Sequence, residues 1–296
     1  MDASMLRFLA APFVASLVIA GIHAYLGVHV VERGVIFVDL SLAQIAAFGS
    51  AIALLILGGD PHGPAVYWIS LVFTLLGAIL FSTIRSRRAR IPQEAIIGIA
   101  YAVASAATIL AMSKATSESE HLKDMLVGNI LAVSWQEVWT TALLYVVIGV
   151  FHYVFRRRFL MISLEPEKAE GQGVSLRLWD FLFYASFGFV VTRSVSIAGV
   201  LLVFCYLIVP SVAAMLYSDR IGPRLAIGWT MGTVVSALGV YFSLMLDLPT
   251  GATIVCTFGL VLIVMAAVRP LVQRTAPLDV HQVNYADQAH GQAHGH

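Results

Sequence analysis

Apolar residues run through this chain in long stretches, separated by short clusters of charge, proline and glycine. Breaking it at those clusters leaves apolar segments near 6–27, 35–58, 65–84, 92–113, 135–155, 178–193, 196–217, 224–246 and 251–268. A helix needs about 20 predominantly apolar residues to cross a hydrocarbon core. The pattern therefore predicts an all-α, polytopic membrane protein of about nine spans. The sixth segment is short, and the Thr192-Arg193-Ser194 break after it could be a re-entrant turn, so eight crossings plus a half-helix is the alternative reading.

Lys and Arg in short loops mark the cytoplasmic side. The arginine-rich stretch 85–90, the run Arg156-Arg157-Arg158, the pair Arg220 and Arg224, and the pair Arg269 and Arg274 follow spans three, five, seven and nine. With nine crossings all four clusters fall on one side, which places the N-terminus outside and the C-terminus in the cytoplasm. Merging spans six and seven would set the two halves of the chain against each other.

Composition narrows the class further. Hydrophobic residues make up 59% of the chain and charged residues 12%, against about 25% charged in soluble domains, so no room remains for a large soluble domain. A net charge of +1 without a clustered basic surface argues against nucleic acid as a partner; membrane lipid is the expected surroundings. The apolar run from Phe8 lacks a small-residue cleavage site and reads as a retained first span. Cys205 and Cys256 both lie within apolar spans and read as small buried hydrophobes.

One loop stands out. After Leu164 the chain reads Glu165-Pro166-Glu167-Lys168-Ala169-Glu170-Gly171-Gln172-Gly173-Val174. Proline near the start and glycine at the end delimit a short helix. Tied between two spans on the cytoplasmic face, it suits docking onto another protein, although an ordinary solvated connector would have the same punctuation.

Here the sequence resembles the ABC-3 family, the permease subunits of ATP-binding-cassette importers for zinc, manganese and iron. The family's Phe-Asp-Pro-Glu-x-Ala-x-x-x-Gly stretch is matched by Leu164 to Gly173, with Pro166, Glu167, Ala169 and Gly173 in place and Phe-Asp replaced by Leu164-Glu165. Three further stretches are similar to the family: Ala198 to Ala214, Glu94 to Ile99, and Met125 to Leu131. The resemblance implies a type II importer permease, with residues 1–274 as the transmembrane domain and 165–174 as the coupling helix seated on an ATPase subunit. It also implies a homodimer in a bacterial inner membrane, served by an extracytoplasmic metal-binding protein. The chain has no Gly-Lys dipeptide, so the phosphate-cradling loop of an ATPase is absent. The chain itself is thus not expected to be an enzyme, and no covalent cofactor is implied.

The resemblance also points to a metal path in span two, where the family carries Asp-Ala-Leu-Ser-His-Ala-Val-Leu-Pro-Gly. Aligning its closing glycine on Gly49 sets Gln44 on the histidine and leaves Asp39 one residue early. Five positions apart, Asp39 and Gln44 lie about 140° apart around an ideal helix. A looser, partly hydrated ion path fits this departure better than a tight site. An ionisable residue within a span is a functional candidate by default, and pairing of Asp39 with Arg33 is the structural alternative. His23 and His29, six residues apart on different faces, suit packing, and Glu94 suits a helix-start carboxylate.

The outer loops Asp60-Pro61-His62 and Glu118 to His121 could meet a metal-loaded binding protein. Residues 275–296 read as a flexible tail ending Ala289-His290-Gly291-Gln292-Ala293-His294-Gly295-His296, unlike a plain affinity tag. His290, His294 and His296 read as metal-binding by composition, and imidazole favours zinc over manganese. The sequence thus predicts a permease for a divalent metal ion, zinc favoured and manganese or iron possible. A stand-alone secondary transporter or channel is the rival.

Overall fold

The computed structural model describes residues 3–57, 63–84, 91–113 and 130–275. Its helices are α1 (Ala3–Glu32), α2 (Val38–Leu57), α3 (Pro64–Ile84), α4 (Gln93–Met112), α5 (Trp135–Val154), α6 (Arg156–Leu164), α7 (Pro166–Gly171), α8 (Leu176–Ala198), α9 (Val200–Met215), α10 (Ile221–Leu246) and α11 (Thr250–Thr275). A 3-10 turn at Ile130–Ala132 precedes α5. Among the described residues, eight of these helices are long and apolar enough to cross a membrane, and α9 is a shorter apolar helix. The fold is all-α, as the apolar pattern predicts.

One boundary differs from the sequence reading. The sixth span is not the short one: α8 runs 23 residues through Thr192-Arg193-Ser194 to Ala198, and the chain breaks at Gly199, where φ is +77°. The short element is α9, 16 residues long. Arg193 looks like a break in sequence because a charge is costly inside a span. In the fold its guanidinium is satisfied across the bundle, with Nε donating to Thr141 Oγ1 at 2.9 Å and a terminal nitrogen to Thr140 Oγ1 at 3.1 Å. The charge needs a partner, not a loop.

Local chemistry accounts for several helix ends. Ser134 and Glu137 form a capping box at the start of α5, satisfying donors that the first turn leaves free. Ser175 caps α8 by accepting from the amide of Leu178, and Pro166 opens α7, where a missing N–H costs nothing.

The helices sort into two bundles. In one, α1 packs against α9 and α10, and α11 packs against both of those. In the other, α2 packs against α3 and α4, and α3 lies along α8. α5 leans mainly on α1, and among the described residues thinner contacts of α8 and α2 with α9, together with side-chain contacts from the end of α1 to α8, join the two groups. Apolar burial does not favour helix association inside lipid, so small residues that let backbones approach take over that role. At Gly27 of α1 an added Cβ would fall 2.0 Å from the carbonyl oxygen of Leu207 and 2.3 Å from Ser211 Oγ on α9. Only glycine permits that approach. Large aromatics fill the space between α3, α6 and α8, where Phe81, Phe159, Phe183, Tyr184 and Phe187 are fully buried.

Candidate functional site

Two sets of residues carry the chemistry: a polar cluster inside the bundle and the short helix between α6 and α8.

The turn from α1 into α2 brings polar groups into the interior. Arg33 follows the last residue of α1, and its side chain does not turn to Asp39. Its NH1 lies 2.7 Å from Asp180 Oδ1 on α8, its Nε donates to Ser163 Oγ of α6 at 2.9 Å, and its guanidinium carbon sits 4.0 Å from the centroid of the Phe183 ring. Both ionic partners are sealed from solvent, at 1% and 0% side-chain exposure. His29 joins the same node through a 2.8 Å hydrogen bond between its Nδ1 and Ser163 Oγ. Ser163 thus ties α6 to the end of α1 immediately before α7.

Asp39, in the first turn of α2, is 1% exposed, and its Oδ1 has no hydrogen-bond partner. An ionised carboxylate left this way costs several kcal/mol, so it points to an ion or proton that interacts with it. Gln44 is also buried, at 8%. However, α2 is a single uninterrupted helix, so Asp39 and Gln44 stay on different faces and do not converge on one ion. Among the described residues no group of three His, Cys, Asp or Glu side chains is placed to hold a metal.

Glu94 does more than start a helix. Its Oε1 accepts from the backbone N–H of Phe37 at 2.9 Å, pinning the start of α4 to the turn two residues before Asp39. The other oxygen, Oε2, has no hydrogen-bond partner. Two carboxylates therefore flank the α1–α2 turn, and neither is fully satisfied.

Other interior groups pair locally. His23 Nδ1 lies 2.8 Å from the carbonyl oxygen of Ile19. His152 of α5 bonds Ser186 Oγ through Nε2 at 2.8 Å, contacts the Tyr25 hydroxyl through Nδ1 at 3.3 Å, and stacks on Phe159 with centroids 4.3 Å apart. Asp180 and His152 were not singled out in the sequence. An acid within a span was the available signal for Asp180, whereas the role of His152 rests on contacts far away along the chain. Neither cysteine is the buried residue the sequence suggested: Cys205 is half-buried and Cys256 exposed, both as free thiols.

The 165–174 segment folds as the sequence predicts, with α7 at Pro166–Gly171 and a tight exit. The N–H of Gly173 donates to the carbonyl of Glu170 at 2.9 Å and that of Val174 to Ala169 at 3.0 Å. Gly173 has φ +73°, a conformation glycine adopts at little cost. The segment has an inner and an outer side. Ala169 is fully buried in a small cluster with Ile162 and Val174. Glu165, Glu167 and Glu170 are exposed beside the exposed Leu164, and Lys168 meets Glu165 at 2.7 Å. Ala169 therefore holds the helix in place, while the glutamates and Leu164 face outward. The loops at 60–62 and 118–121 and the tail histidines His290, His294 and His296 lie outside the described residues.

Comparison with known proteins places this arrangement. Over 248 residues, 84% of this chain and 86% of its relative, the sequence is 25% identical to the manganese transport system membrane protein MntC of Listeria innocua. Over 240 residues, 81% of this chain and 79% of the relative, it is 25% identical to the chelated iron transport system membrane protein YfeC of Yersinia pestis. In fold it is similar to the solved structure of PsaBC from Streptococcus pneumoniae in complex with Fab, with a TM-score of 0.74 at 23% identity, covering 88% of this chain and 93% of that one. Residues 5–269 match the ABC 3 transport family, and the chain belongs to that family.

Proposed function

We propose that this chain is the membrane-spanning permease subunit of an ATP-driven importer of a divalent first-row metal ion. It works as a homodimer with two ATPase subunits docked on its cytoplasmic face and a metal-binding protein outside. The observation that carries this reading is α7, a short helix anchored on its inner side by Ala169 and presenting acidic side chains outward. A stand-alone carrier has no use for such an element. Manganese or iron is the leading substrate, because the relatives are named for manganese and chelated iron. The sequence-level preference for zinc rested on His290, His294 and His296, and nothing beyond their composition supports it.

In this reading the arginine runs face the cytoplasm and the ion path passes Asp39, which offers one hard carboxylate to an ion that keeps part of its hydration. Carboxylate and water suit manganese better than an imidazole cage does. Gln44 lies on another face of the same helix and does not share that ion.

Co-expression with an ATP-binding-cassette ATPase subunit of the same organism, followed by purification of native complexes, tests the reading. The ATPase co-purifies and hydrolyses ATP faster when manganese-loaded binding protein is added. Metal uptake by the chain alone, in vesicles without ATP, would instead establish the stand-alone carrier.

Asp39→Asn keeps the size of the side chain and removes its charge. Uptake at low external manganese is expected to fall by roughly tenfold or more, the loss of about 1.4 kcal/mol of ion stabilisation, while ATPase docking is retained. Unchanged uptake at every metal concentration would remove Asp39 from the path.

A further inference from the structure

An apolar cleft of about 590 Å³ opens between α5 and α10, with α1 as its floor. Both helices pack on α1, yet among the described residues they make no extended contact with each other. On α5 the lining runs from Ala142 to Tyr153, about 17 Å at 1.5 Å per residue, and continues to Arg156 and Leu160 of α6. One leaflet of the hydrocarbon core is about 15 Å deep, so the cleft traverses a whole leaflet and reaches the interface.

Its walls leave room that side chains do not claim. Gly21 on the floor and Gly149 on the wall both line it, and a Cβ added at either would meet nothing within 4 Å. Trp229 of α10 closes the far side, its indole N–H donating to the carbonyl oxygen of Gly21 at 2.9 Å. The mouth is basic. Arg156 is held over the Tyr153 ring with its guanidinium carbon 4.3 Å from the centroid, and donates to the Tyr153 carbonyl at 3.2 Å. Arg157 and Arg158 follow it, and all three are exposed. Glu32, the last residue of α1, is paired with Arg224.

We propose that this cleft binds one anionic phospholipid of the cytoplasmic leaflet, with an acyl chain along Gly21, Gly149 and Trp229 and the headgroup phosphate on the Arg156-Arg157-Arg158 cluster. The leaflet follows from the orientation given above; the site itself does not depend on what the protein transports. Guanidinium groups suit phosphate because they can donate two parallel hydrogen bonds. A second copy of the chain is a poorer occupant. Packed here about a two-fold axis normal to the membrane, it would set two arginine triplets at the same depth, and like charges across an interface oppose association.

Quenching of Trp229 tests the proposal. The full-length chain is reconstituted in nanodiscs containing phosphatidylglycerol or phosphatidylcholine with brominated acyl chains, and the Trp229 signal is taken as the difference from Trp229→Phe. Phosphatidylglycerol is expected to quench it at a much lower mole fraction than phosphatidylcholine does. Replacing Arg156, Arg157 and Arg158 by glutamine should weaken that preference by roughly fivefold per arginine. Gly149→Leu, whose Cβ has no protein atom within 4 Å and whose side chain extends into the cleft, should abolish quenching by both lipids. Equal quenching by the two lipids in the unaltered chain would overturn the headgroup assignment. Unchanged quenching in Gly149→Leu would overturn the acyl-chain assignment, and Trp229 shielded in a dimer seen by native mass spectrometry would replace the lipid with a second copy. The arginine variants alter only exposed side chains, so they decide the matter even if Gly149→Leu fails to fold.

Discussion

Glu167→Lys combined with Gly173→Val is expected to suppress metal-dependent ATP hydrolysis by the assembled complex by roughly tenfold or more, a loss of about 1.4 kcal/mol of docking free energy. The permease itself should remain in the membrane at normal levels. Glu167 lies on the exposed side of α7, so reversing its charge alters the docking face without opening the core. At Gly173 an added Cβ meets nothing within 4 Å, and φ is +73°. The cost of valine there is conformational, about 1–2 kcal/mol for a left-handed residue, and it falls on the turn that closes α7. Basal ATPase rate, metal-stimulated rate and membrane abundance, measured together, separate uncoupling from misfolding. Full transport by the double variant would reduce 165–174 to a connector and favour a carrier without a motor.

The second large effect is on stability. Asp180→Ala removes the carboxylate that pairs with the buried guanidinium of Arg33, and breaking one side of a buried pair costs about 3–5 kcal/mol. Unfolding in detergent micelles, followed by circular dichroism, should show a strongly lowered midpoint. Replacing both partners, Arg33→Met with Asp180→Leu, should recover most of the loss, because no uncompensated charge remains. His29 still reaches Ser163 in that double variant, so part of the α1–α6 tie survives. A single variant as stable as the original would show that the pair contributes nothing to holding α8 against α1.

Much of this molecule was legible in its sequence, for identifiable physical reasons. Lipid demands that each spanning segment satisfy its own backbone, so a run of about 20 apolar residues specifies an element without knowledge of its neighbours. α7 was equally readable, because Pro166 and Gly173 are local punctuation. What could not be read were charges whose partners are remote. Arg193 looked like a loop because its acceptors, Thr140 and Thr141, lie more than fifty residues earlier. Arg33 looked like a partner for Asp39, six residues on, yet it pairs with Asp180, 147 residues away. In the candidate site, periodicity already kept Asp39 and Gln44 apart, and the regular α2 keeps them so. The reach of Glu94 to the amide of Phe37 had no sequence signature, since it depends on where α4 docks.

The approach of α1 to α9 at Gly27 carries a mechanical consequence. A backbone carbonyl where a Cβ would sit leaves no room for the two helices to rotate or slide past each other. α10 is locked to the same unit, where Gly232 meets Ala20 and Gly228 lies against Ala24 and Pro210. Interlocked helices move as one body, and displacement concentrates where contacts are thin. That boundary is the seam between the α1–α9–α10–α11 bundle and the α2–α3–α4–α8 bundle. Near α7 the seam is bridged by the Arg33 clasp on Ser163 and Asp180. The clasp holds the start of α8 and the single residue Gly199 ties its other end to α9, so relative motion of the two stiff bundles has to turn about these two fixed points rather than open freely at either end.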